Sequence, residues 1–90
     1  MSGSRIERIR NTLQTAFDPL ALEIIDESHK HAGHASAQGG GHYIVQIVSA
    51  TFTGKTTIQR HRMVYEAMAE LMSSNEVHAL SIQAHSPEEI

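Results

Sequence analysis

The sequence predicts a small α/β domain of the α+β kind, in which helices cover one face of a three-stranded mixed sheet. Three observations carry that reading. The chain has 90 residues, 40% of them hydrophobic and 19% charged, which is room for one core; a second domain would need roughly 50 residues of its own. Its apolar residues follow a helical period in two stretches and a period of two in three others. These stretches come in the order helix, strand, strand, helix, strand, with no internal repeat or linker between them.

The first helix rests on Ile6, Ile9, Leu13, Ala16 and Phe17, with Ser4 as N-cap and Glu7 three residues on, after a loose start over residues 1–4. Asp18-Pro19 stops it. LALEIIDE, Leu20 to Glu27, alternates as a half-buried strand. HYIVQIVS, His42 to Ser49, is a stronger one, with Tyr43, Val45 and Ile47 on one face. The segment Ser28 to Gly41, rich in Gly, Ala, Ser and His, has no apolar periodicity. Its length of about 14 residues exceeds that of an ordinary hairpin loop, and loops of this length are usually functional or mobile. After a turn at Thr53-Gly54, TTIQRHRMVYEAMAELMSS reads as one long helix. Its expected apolar stripe is Ile58, His61, Tyr65, Met68 and Met72, flanked by Val64 and Leu71, and Asn75 is its stop. VHALSIQA, Val77 to Ala84, is a third strand with Leu80, Ile82 and Ala84 on one face. Pro87 opens an acidic tail, and residues 86–90 are expected to be a loose end.

That order constrains the site. The first two strands pair antiparallel across their loop, and strand, helix, strand is a right-handed crossover that makes the second and third strands parallel. The long loop, His42 and His78 therefore meet at one edge of the sheet, bringing together four or five of the seven histidines.

Composition removes several functions. The chain has no cysteine, which excludes disulfides, thiol catalysis and thiolate zinc fingers. A net charge of −3 opposes any role in coating nucleic acid. No apolar run approaches the ~18 residues of a membrane span, and MSGSRIERIR lacks a signal-peptide core, so the chain is expected in the cytoplasm with no membrane partner. No carboxylate pair or Ser/His/Asp set has catalytic spacing, so no enzyme activity is expected. Gly54-Lys55-Thr56 ends like a P-loop, but Ser49 stands where the first glycine is needed.

Two concentrations of side chains remain. HKHAGH places His29, His31 and His34 within six residues, and neutral imidazole is a good ligand for zinc, iron and copper. The alternative is a solvated histidine loop that picks up metal incidentally. His78 shares strand parity with Leu80 and Ile82, which on its own reads as a partly buried core histidine. His42 reads as structural or as support behind a ligand, His61 as packed or helix-orienting on the long helix, and His29 and His85 as surface residues. Lys55, Arg60 and Arg62 form a basic concentration, where a helix start could contact a phosphate backbone; the alternative is a solvated helix face. The GxxG loop of nucleic-acid-binding KH domains is absent.

LEIIDES followed by HAGH, then HYIVQIVSATFTG, RHRMVYEAMAEL and VHALSIQAHSPEE, resembles the BolA family from about residue 5 to residue 89. RHRMVY followed by VHALSI is the specific part. The resemblance implies a class II KH-like fold, in agreement with the element order. It implies a monothiol glutaredoxin as partner, a two-iron two-sulfur cluster shared with it, glutathione brought by that partner, and a place in iron-sulfur assembly, trafficking or iron sensing. The implied ligands are a loop histidine, His31, with His34 a second candidate, and His78. Two histidines leave two of the four ligands to external thiolates, as a chain without cysteine requires. The isolated chain is then a monomer without a cofactor, and its complex a heterodimer. Family members are also described as stress-responsive, DNA-binding transcriptional regulators, which implies an alternative function with weak duplex binding through Lys55, Arg60 and Arg62.

Overall fold

The computed structural model describes residues 2–27, 41–74 and 77–90, with side chains described from residue 5 onward. Helix α1 spans Ser2–Phe17, strand β1 Ala21–Asp26 and strand β2 Gly41–Val48. A 3-10 turn over Ala50–Phe52 follows, then helices α2, Thr57–Ala67, and α3, Ala69–Ser73, strand β3, Val77–His85, and a second 3-10 turn, Pro87–Glu89. The sheet order is β1-β2-β3. β1 and β2 pair antiparallel, from Ala21 opposite Val48 to Asp26 opposite Tyr43. β2 and β3 pair parallel, as the crossover rule requires.

Alternation in β2 works as expected. Tyr43, Val45 and Ile47 are buried, whereas Ile44, Gln46 and Val48 on the opposite face stay half-open. The buried face meets Ile9, Leu13 and Phe17 of α1, Val64 of α2 and Met68, with Leu22, Ile24, Ile82 and Ala84 packed around them. Phe52, fully buried, sets its ring 5.0 Å from that of Phe17. Buried Ser49 fixes the same corner: its hydroxyl donates to the Phe17 carbonyl at 2.7 Å, which satisfies one of the orphan carbonyls at the end of α1.

Four expectations need correction. Helix α1 begins at Ser2, so Ser4 lies inside it rather than capping it. The long helix is two: α2 ends at Ala67, Met68 takes a backbone conformation of φ −93°, ψ 4°, and α3 adds five residues. Its start is set by a reciprocal cap, in which Thr56 Oγ1 accepts from the Gln59 N–H and Gln59 Oε1 accepts from the Thr56 N–H. The buried stripe is also rotated. Arg60, Val64 and Met68 face inward, with Met63, Ala67, Leu71 and Met72 half-buried beside them, while Ile58 is 66% and Tyr65 41% exposed. Finally, residues 86–90 are not loose. Ser86 is buried and caps the turn Pro87–Glu89, its backbone N–H donating to Glu89 Oε1. The Asn75 stop lies outside the described residues.

Candidate metal centre

The end of β1, the start of β2 and the start of β3 lie at one edge of the sheet. Gly41 stands opposite Val77, but His42 stands opposite Ala79, so His78 is an extra residue on β3. Such a bulge breaks the alternation. Val77 is buried at 1% exposure and Leu80 at 8%; with two residues between these inward positions instead of one, His78 is exposed. This corrects the parity reading that placed His78 on the core face with Leu80 and Ile82. No hydrogen bond among the described residues engages its ring.

His42, half-buried, lies on the neighbouring strand, opposite Ala79. Its carbonyl accepts from the Glu27 N–H at 2.8 Å, which carries the pairing one residue past β1 and brings both ends of the 28–40 segment to this edge. Gly41 is required here by packing. A Cβ on it would stand 2.7 Å from Cζ and Oη of the buried Tyr43 ring. His29, His31 and His34 lie outside the described residues. Among the described residues no three His, Asp or Glu side chains group as a metal site, so His78 is the one expected ligand that the structure places.

The basic concentration divides. Lys55 and Arg62 are exposed, but Arg60 is only 7% exposed, and its guanidinium is committed within the domain. Nε donates to the Lys55 carbonyl at 3.0 Å, Nη1 to the Ala84 carbonyl at 3.0 Å and to Glu89 Oε1 at 2.7 Å, and Nη2 to Glu89 Oε2 at 2.8 Å. This corrects the placement of Arg60 in a surface patch. The charge-assisted hydrogen bond from Arg60, with the Ser86 N–H, holds the Glu89 carboxyl down to about 2, and the same pair raises the Arg60 pKa. Sequence reasoning missed Glu89; its signal was Ser86-Pro87-Glu88-Glu89, a capping-box pattern at the start of a helical turn.

His61 is half-buried and His85 exposed, with His85 Nδ1 3.7 Å from Glu89 Oε1. No helix among the described residues is long and apolar enough to cross a membrane.

Comparison with known proteins agrees with this architecture. The chain is 42% identical over 94 residues to the SufE-like protein 1, chloroplastic/mitochondrial, of Arabidopsis thaliana, covering 98% of itself but 25% of that protein. It is 41% identical over 83 residues to the DNA-binding transcriptional regulator BolA of Escherichia coli (strain K12), covering 92% of itself and 76% of that relative. The solved BolA domain of SufE1 from Arabidopsis thaliana superimposes with a TM-score of 0.84 at 40% identity, covering 97% of this chain and 96% of that one. The family model described as BolA-like protein matches residues 13–89. With an exposed histidine at a strand bulge, that fold and that match, the chain belongs to the BolA-like family.

Proposed function

We propose that this chain is a non-catalytic adaptor that binds a monothiol glutaredoxin and supplies histidine ligands, His78 and a loop histidine from His31 and His34, to a two-iron two-sulfur cluster shared with that partner. The observation that carries the reading is the bulge at His78. It turns an imidazole that regular alternation would bury out to solvent, at the end of the sheet where the segment holding three more histidines begins and ends. The donor set fits the group: two imidazoles can ligate one iron, and a chain without cysteine leaves the remaining positions to the partner's thiolates. Histidine ligation raises the cluster's potential above that of an all-thiolate centre. The chain's own task is to present its imidazoles to that iron.

The test is anaerobic reconstitution with a monothiol glutaredoxin and glutathione, read by visible absorption and circular dichroism. His78→Ala should abolish the histidine-ligated spectrum, because the bulge fixes this imidazole at its strand position. His31→Ala and His34→Ala should each weaken it, and the double substitution should match His78→Ala. Association is measured separately, since contacts elsewhere can hold the pair together. An unaltered spectrum in His78→Ala overturns the assignment.

A second reading is favoured by one relative, whose name describes a DNA-binding transcriptional regulator. On this chain it would rest on exposed Lys55 and Arg62, without Arg60. Lys55→Ala and Arg62→Ala should each lower the salt slope of duplex binding by about one unit. Nanomolar, sequence-selective binding at physiological salt would rank this reading first.

A further inference from the structure

The two outer edges of the sheet are treated differently by the fold. In a strand, residues whose N–H and C=O face the neighbouring strand alternate with residues whose groups face away. On β3 the outward carbonyls include those of Leu80 and Ala84. Both are occupied from α2: the Tyr65 hydroxyl donates to the Leu80 carbonyl at 3.1 Å, and Arg60 Nη1 to the Ala84 carbonyl at 3.0 Å. An incoming strand would have to displace both side chains, so this edge is guarded.

Among the described residues β1 has no such guard. Glu27 donates its N–H to the His42 carbonyl, so residues of its parity point their backbone groups toward β2, and Leu22 and Ile24 point theirs away. No hydrogen bond among the described residues reaches those outward groups. Both residues are half-buried on the helix-covered side of the edge, while Glu23 is exposed and Ile25 half-buried on the open side.

We infer that the outer edge of β1 is a docking surface for an extended segment of a partner protein in which apolar and basic residues alternate. Main-chain pairing with Leu22 and Ile24 supplies affinity, and alternate side chains supply selectivity. The apolar positions would extend the half-covered side beside Leu22 and Ile24. The basic positions would face Glu23 on the open side. Charge decides the occupant. The open-face positions of the sheet hold Glu23 and Glu27 with Ala21, Ile25, His42, Ile44, Gln46, Val48, Ala79, Ser81, Gln83 and His85, and no lysine or arginine. A second copy of this chain would bring another Glu23 to the same seam, and like charges across a strand pair repel. A lysine or arginine opposite Glu23 removes that conflict.

The probes are two eight-residue peptides, one alternating valine with lysine and one alternating valine with glutamate, titrated into the full chain and followed by backbone amide NMR. The valine/lysine peptide should shift the Leu22 and Ile24 amides and slow their hydrogen exchange, and the valine/glutamate peptide should not. Glu23→Lys should weaken the first peptide by roughly two- to fivefold, the range of one cross-strand charge pair, and admit the second. Equal binding of both peptides, an unchanged affinity in Glu23→Lys, shifts confined to β3 or the helices, or concentration-dependent self-pairing through β1 would each overturn the inference.

Discussion

The bulge at His78 makes opposite demands on two adjacent residues, and substituting each separates them. Val77 is 1% exposed and belongs to the core, whereas His78 is exposed. Val77→Ala removes two methyl groups, each worth about 0.8 kcal/mol of transfer, and leaves a small cavity that raises the loss to about 2 kcal/mol. In a domain of this size that lowers the melting temperature by roughly 8–16 °C. His78→Ala removes an exposed side chain and should stay within about 0.5 kcal/mol of the parent. Urea denaturation followed by far-ultraviolet circular dichroism measures both, with unchanged slopes as the check that the transition stays two-state. The reverse ranking, with His78→Ala costing about 2 kcal/mol and Val77→Ala nearly silent, would refute the bulge and return His78 to the core face. The same experiment makes the cluster test interpretable, because a stable His78→Ala protein that loses the shared spectrum has lost a ligand rather than its fold.

Two further outcomes follow from packing and charge. Gly41→Ala should cost about 1–3 kcal/mol, the range for overpacking, because the Tyr43 ring is buried and cannot swing clear of the new Cβ; an unchanged urea midpoint would show that the ring yields. The Glu89 carboxyl lies near 2 against an ordinary 4.5, so the folded state binds its proton more weakly than the unfolded chain. Its contribution is full above about pH 4.5 and is lost as pH falls toward 2. Glu89→Gln should therefore flatten the acid limb of stability in that window, and an identical limb in parent and variant would show that Arg60 does not stabilise the charged form.

Strand identity, sheet order and the mixed pairing were legible in the sequence because alternation in β2 and β3 is strong and the crossover rule leaves one arrangement. The phase of α2 was not, for a physical reason. Ile58 and Tyr65 are its obvious apolar residues, yet both are exposed, and a charged residue, Arg60, takes an inward position. An arginine can sit there only because Glu89, 29 residues later, and two backbone carbonyls satisfy its guanidinium. Helical periodicity in one segment carries no record of a partner so distant in sequence. The break at Met68 has no glycine or proline to announce it.

At the site, convergence was legible and orientation was not. Topology alone brought His42, His78 and both ends of residues 28–40 to one edge. The direction of His78 depended on assuming an unbroken alternation through β3. Val77 and Leu80 contain the contrary signal: both are apolar and three residues apart, so in a regular strand they face opposite sides, and one would leave the core. Inserting one unpaired residue lets both stay inside. The position opposite the bulge is equally constrained, since only glycine fits at residue 41 beneath the Tyr43 ring. Val77 and Gly41 have no ligand chemistry of their own, yet together they fix where the strand starts and which way His78 turns. A histidine at position 78 in a sequence lacking either neighbour would be a weaker argument for a ligand than the one made for this chain.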